Sequence, residues 1–203
     1  MSKRIEIKNR ALMLVFSGPS GAGKGTLKEL YMRDYGENTY FSVSATTRQP
    51  RPGEIDGVHY LFVTKEKFEQ MIANDEFFEW AHVHGEYYGT PVKPALDNLA
   101  MGKDVILDID VQGGLQIKEK YPDATMIFIT PEDLDVLEKR LRGRGTETED
   151  KIIKRLKNAE GELEYIKKYD YVIINKGLEE AYNDLCTAIK AERSLSRFFE
   201  VKE

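Results

Sequence analysis

The stretch that decides the fold is "LVFSGPSGAGKGTL", residues 14–27. An apolar run enters it, a cluster of glycines turns it, and a helical pattern leaves it. Gly18 to Lys24 fill the G-x-x-x-x-G-K part of the phosphate-loop pattern, with Pro19, Ser20, Gly21, Ala22 and Gly23 between the ends. In such a loop backbone N–H groups curl toward an anion, and the following helix adds partial positive charge at its N-terminus. Lys24 would then reach the β- and γ-phosphates of a nucleotide. The pattern next calls for a Ser or Thr hydroxyl on magnesium, yet the chain has Gly25 there and Thr26 one step later. Thr26 still lies in the first helical turn, where its hydroxyl can turn toward phosphate or metal. A bare tight turn is the alternative reading. The buried strand before the glycines and the helix after them argue against it.

Outward from the loop, "ALMLVFS" (11–17) is a short apolar run ended by glycine, as in a strand buried on both faces. Similar runs recur at 40–45, 104–109, 125–130 and 171–175. Helical patterns lie between most of them. "KGTLKELYMRDY" (24–35) places Leu27, Leu30, Tyr31 and Asp34 at helical spacing and stops at Gly36. "PEDLDVLEKRLRG" (131–143) predicts a helix with Thr130 as N-cap, Pro131 first, acids in the first turn and arginines in the last. Strands alternating with helices imply an α/β fold with a parallel five-stranded sheet covered on both faces. Between Val58 and Gly89 the rhythm breaks. "VHYLFV", "FFEWAHV" and "EYYG" are close together, aromatic and alternating, which predicts a small antiparallel insert.

The 203 residues suit a single domain, enough to bury roughly 70% of the unfolded chain's surface. A 41% apolar content with both charge signs abundant fits a globular protein without long disordered blocks. The net charge of −5 argues against broad nucleic-acid binding. Anions must then be held by local clusters: Arg48 and Arg51 in "TTRQPRPG", and Lys139, Arg140, Arg142 and Arg144 in "EKRLRGRG". The lone Cys186 excludes an internal disulfide and reads as buried filler in a reducing compartment. Roughly six apolar residues precede the first glycine, too few for a signal peptide or membrane span, so a cytoplasmic location is expected.

Four further stretches strongly resemble the guanylate kinase family: "FSVSATTRQPRPGEIDGVHYLFV" (41–63), "FFEWAHVHGEYYGTPV" (77–92), "ILDIDVQGG" (106–114) and "KRLRGRGTETEDKIIKRL" (139–156). The "GKGT" loop ending is likewise similar to that of nucleoside monophosphate kinases. The resemblance implies a phosphate-loop NTPase-type core (1–39, 93–138 and 158–203), a mixed α/β GMP-binding insert (40–92) and a helical lid (139–157). It implies transfer of the γ-phosphoryl of ATP to GMP with magnesium, in GMP recycling, by a monomer or homo-oligomer. On matched positions, Ser44, Arg48, Arg51, Tyr60, Glu79, Tyr88, Thr90 and Asp110 look like the GMP contacts, Thr90 standing where the family often has serine. Lys24, Arg48, Arg140, Arg144 and Arg155 look like the catalytic set. Thr26 and Asp108 look like the magnesium side, partly through water.

The residue types make chemical sense without the family. Arginines grip phosphate by bidentate, charge-assisted hydrogen bonds. A carboxylate accepts both guanine N1–H and the N2 amine, a Ser or Thr hydroxyl serves O6, and adenine would leave that carboxylate unpaired. Asp108 and Asp110 close a strand at its C-terminal end, where parallel sheets place ligands. Bland readings stand beside these. Glu79 could be an outward residue of an edge strand, Arg48 and Arg51 solvated loop charges, and Asp108 a solvated end. Tyr60 and Tyr88 could be core aromatics, the expected role of Tyr87 and Trp80. His82 and His84 read as ordinary strand residues, and Arg142 as solvent-facing. A kinase-like interaction module that binds without catalysis is the competing function, and an intact phosphate loop with lid arginines argues against it.

Overall fold

The computed structural model describes residues 4–7, 11–83, 85–143 and 148–202. The chain begins with strand β1 (Arg4–Ile7), then β2 (Met13–Ser17), helix α1 (Lys24–Tyr35) and β3 (Thr39–Phe41). An insert follows: β4 (Ala45–Thr46), β5 (Leu61–Phe62), α2 (Lys65–Ala73), β6 (Phe77–Val83) and β7 (Glu86–Pro91). Next come α3 (Val92–Ala100), β8 (Asp104–Asp108), α4 (Val111–Lys120) and β9 (Thr125–Thr130). The remainder is α5 (Leu134–Gly143), α6 (Glu149–Leu163), β10 (Tyr171–Ile174), α7 (Leu178–Glu192) and β11 (Phe199–Lys202).

The central sheet is five-stranded and parallel, in the order β10-β9-β2-β8-β3. Strand side chains alternate, so each face of the sheet receives every second residue. Leu12, Leu14 and Phe16 join Ile106, Ile127 and Ile129 in a layer with Leu27 of α1 and Leu185 of α7. Met13 and Val15 join Val105, Leu107, Met126 and Phe128 in the opposite layer with Ala95 of α3 and Ile117 of α4. Both faces of β2 are therefore dry, as its unbroken apolar run implied. The C-terminal ends of β2 and β8 open onto the loops that begin α1 and α4. That edge carries the candidate site.

Three local expectations are corrected. The run at 40–45 is split: β3 pairs with β8, Ser42–Ser44 carry the chain out of that sheet, and Ala45 begins β4 in another. An apolar run says nothing about a change of partner. The insert is a mixed rather than antiparallel sheet of order β5-β4-β7-β6, because β4 runs parallel to β5, and α2 lies within it. The fifth helix starts at Leu134, not Pro131. Thr130 is buried at the end of β9, and Asp133 caps the helix instead, its carboxylate accepting the Val136 N–H at 2.7 Å. Thr130 gives its backbone to the sheet and so cannot open the helix.

Candidate functional site

The phosphate loop is built by close approach. Gly18 has φ of 131°, and a Cβ there would fall 2.0 Å from the Ile129 carbonyl oxygen of β9. Gly23 has φ of 97°, and a Cβ would meet Asn175 Nδ2 at 2.2 Å. Only glycine fits either place. Gly23 is also the N-cap of α1 and gives it no side-chain cap, whereas Thr64 caps α2 and Asp110 caps α4. The first N–H groups of α1 are thus left to an external acceptor. Lys24 Nζ donates back to the Gly18 carbonyl at 2.5 Å, lying across the loop. Ser20, Gly21, Gly23, Lys24, Gly25, Thr26 and Asp108 line a depression of about 360 Å³.

Two arginines from later in the chain reach this loop. Arg140 of α5 donates to the Asn175 carbonyl at 2.8 Å and the Ala22 carbonyl at 3.4 Å. Arg155 of α6 donates to Ser20 Oγ at 2.8 Å. Arg142 turns away, bonded to Glu138 at 2.7 Å and to Glu149 at 2.5 and 2.6 Å, so it ties α5 to α6. It is half exposed but paired rather than simply solvated. Arg144 lies outside the described residues.

Across the cleft the acceptor candidates fall into two groups joined by β7. Arg48 is gripped by Glu54 through two bonds of 2.9 Å, and its guanidinium lies 5.3 Å from the Tyr60 ring. Tyr60 meets Tyr88 edge-on at 6.2 Å, and Tyr88 hydrogen-bonds Arg48. Arg51 is exposed, and its N–H donates to the same Glu54 carboxylate at 2.7 Å. Arg48 and that N–H hold the Glu54 carboxyl down at about 2. Two residues further along β7, the Thr90 hydroxyl donates to Glu79 at 2.6 Å. Ser44 directly precedes Ala45, which pairs with Gly89, the residue before Thr90.

Glu79 faces inward because β6 is bulged. Its register to β7 shifts by one residue between Phe77 and Trp80, so Phe77 and Phe78 are both buried and the carboxylate turns into the cleft. Trp80 is corrected from core aromatic to half exposed, whereas Tyr87 does pack on Phe68 at 5.2 Å. Burial raises the Glu79 carboxyl above its ordinary 4.5, and the negative charge of Asp110 adds to this. Asp110 accepts the Gly113 N–H at 2.8 Å as N-cap of α4.

Asp108, at the end of β8, is raised by burial, and Lys24 and Lys28 oppose that rise. With the Thr26 hydroxyl it supplies oxygen donors at the loop, the ligand type that suits a hard divalent cation. Among the described residues no group of three or more His, Cys, Asp or Glu could hold a metal by itself. His82 is exposed on β6, and His84 lies outside the described residues. Cys186 packs half-buried against the core, its thiol raised by burial. No described helix is long and apolar enough to cross a membrane.

Sequence reasoning missed two supporting residues. Glu54 stands six positions after Arg48 in one loop, which is a usable hint. Asn175 is not detectable locally: it follows β10, and its amide donates to the Ala22 carbonyl at 2.8 Å across 153 residues.

A family model described as guanylate kinase matches residues 10–192. The guanylate kinase of Carboxydothermus hydrogenoformans is 51% identical over 185 residues, spanning 91% of this chain and 90% of that relative. That of Caldanaerobacter subterraneus subsp. tengcongensis is 48% identical over 190 residues, spanning 93% and 91%. Among solved structures, guanylate kinase from Anaplasma phagocytophilum has the same fold at a TM-score of 0.73 and 34% identity, over 95% of this chain and 92% of that one. The match runs from ahead of the phosphate loop to the last residue of α7 and takes in both arginines on the loop and both acceptor groups: the chain belongs to the guanylate kinase family.

Proposed function

We propose that the chain transfers the γ-phosphoryl of ATP to GMP, giving ADP and GDP. The observation that carries this reading is the convergence of cations from separate segments on one phosphate loop: Lys24 within it, Arg140 at Ala22 and Arg155 at Ser20. Phosphoryl transfer spreads negative charge over equatorial oxygens, and preorganised cations in a water-poor cleft stabilise that charge. A module that only binds peptide has no use for such an arrangement.

In this reading Gly18 to Thr26 hold the ATP phosphates, with the uncapped end of α1 facing them. Arg48, Arg51, Tyr60 and Tyr88 hold the GMP phosphate, with Glu54 fixing the Arg48 fork. Glu79, Thr90, Ser44 and Asp110 hold guanine, the carboxylates accepting N1–H and the N2 amine and the hydroxyls serving O6. Segment 40–92 is the acceptor-binding insert and 139–157, with Arg144, the lid that shuts water out. Magnesium fits the oxygen donors of Thr26 and Asp108, with water and phosphate completing its shell, and when bound it would neutralise phosphate charge. ATP and GMP are the partners, and a cytoplasmic setting suits them.

A coupled assay of ADP release across GMP, dGMP, AMP, UMP and CMP tests the assignment. GMP should exceed AMP by about 100-fold or more, since adenine leaves the buried carboxylate unpaired. Equal rates with AMP, or no turnover with GMP, would sink it.

A further inference from the structure

Gly113 occupies the third position of α4, and nothing in its own backbone demands glycine: its φ is not positive. A helical glycine is ordinarily less favourable than alanine, so its presence calls for a cause. The surroundings supply one. A Cβ at Gly113 would lie 2.9 Å from Glu79 Cγ and 3.3 Å from Glu79 Cδ, with Asp110 Oδ1 at 3.5 Å. The first distance is too short for two carbons. Glu79 cannot retreat freely, because the bulge in β6 sets its direction and the Thr90 hydroxyl holds its carboxylate at 2.6 Å.

We infer that Gly113 is a positioning residue for guanine recognition, its missing side chain being the space in which the Glu79 carboxylate sits. The inference rests on the proposed role of Glu79 and adds a determinant on a different element. It assigns to α4 a share in base specificity besides the Asp110 cap. A methyl group at 113 would push Glu79 off Thr90 and away from the two adjacent donors of the base. The phosphate loop lies elsewhere and would not feel it.

Gly113→Ala separates this from a structural role through base preference, which a merely structural change would not move. Alanine suits helix α4, but its Cβ must displace Glu79 Cγ, so helix gain and steric cost oppose each other and thermal stability does not distinguish the two roles. The readout is kcat/KM for GMP against inosine monophosphate, which lacks only the N2 amine. Gly113→Ala should lower kcat/KM for GMP about 10- to 100-fold through KM, and collapse the GMP preference, with KM for ATP unchanged. Gly161→Ala, at a helical glycine with open space around its Cβ, should gain stability and keep the wild-type GMP preference. If wild type does not prefer GMP over inosine monophosphate, or Glu79→Gln keeps that preference, the role of Glu79 itself fails. If both behave as proposed and Gly113→Ala keeps the wild-type ratio, the inference about Gly113 is overturned.

Discussion

Glu79 sits in a cleft that disfavours its charge. Its carboxyl is raised above 4.5 by burial and by Asp110, so the folded state holds the proton more tightly than the unfolded chain does. That contribution to stability is complete below the unfolded value and is lost as pH rises through the folded one. At neutral pH the free protein therefore bears a cost that the two guanine donors can offset. Glu79→Gln should leave thermal stability at neutral pH equal or higher while lowering kcat/KM for GMP by about 10- to 1,000-fold. Unchanged GMP kinetics would mean that the carboxylate never meets the base. In wild type, KM for GMP should begin to climb at a higher pH on acidification than for an ordinary carboxylate, and KM for ATP should not follow. The Glu54 carboxyl shows the reverse shift, to about 2, so its grip on Arg48 outlasts the protonation of Glu79 on acidification. Glu54→Gln should raise KM for GMP several-fold by freeing the guanidinium. If KM stays at the wild-type value, Arg48 does not depend on Glu54 for its position.

At the scale of elements, α5 and α6 each send one arginine to the phosphate loop and share a third between them. Arg155→Ala should lower kcat by about 100-fold with little change in KM for GMP, because it removes a cation from the side of the loop where transfer occurs. Arg142→Ala breaks only exposed ion pairs and should leave kcat within about two-fold. Steady-state kinetics on both variants decide the matter: equal losses would refute the division. The elements also show what sequence can reveal. β2 and α1 were legible because period and punctuation agree, an apolar run, glycines, then helical spacing from Lys24 to Tyr35. The start of α5 is ambiguous in the sequence because Thr130 and Asp133 are both good caps, and only the demand of β9 for Thr130 chooses between them. The bulge that aims Glu79 left one trace, the adjacent Phe77 and Phe78 that break strict alternation. Asn175 left none, since its partners in the phosphate loop are distant in sequence.

For the molecule as a whole, β2 is the axis, with β8 on one side and β9 on the other. Leu14 is fully buried there, in the layer that also holds Leu27 of α1. Leu14→Ala should cost about 2–5 kcal/mol, and melting followed by circular dichroism should show Tm falling about 2–4 °C for each of them. A variant that melts like wild type would mean that this layer tolerates a void. At the start of β8, Asp104 is buried and accepts the Leu12 N–H at 3.0 Å and hydrogen bonds from the Arg193 guanidinium. Helix α7, which follows β10, thus returns to brace the entry into β2 through Arg193, the residue directly after it.

That central position of β2 has a consequence in time. It leaves the ribosome early, yet Phe16 pairs with Asp108, roughly ninety residues later, and Phe16 also pairs with Ile127 beyond that. At about 5–20 residues per second the first partner is synthesised only some 5–20 seconds afterwards. Until then "MLVFS" is an unpaired apolar edge, and the nascent chain's first task is to keep that edge from neighbours on the same messenger. Slowing synthesis between α1 and β8 should lower the soluble yield, while the same pause placed after β10 should leave it unchanged.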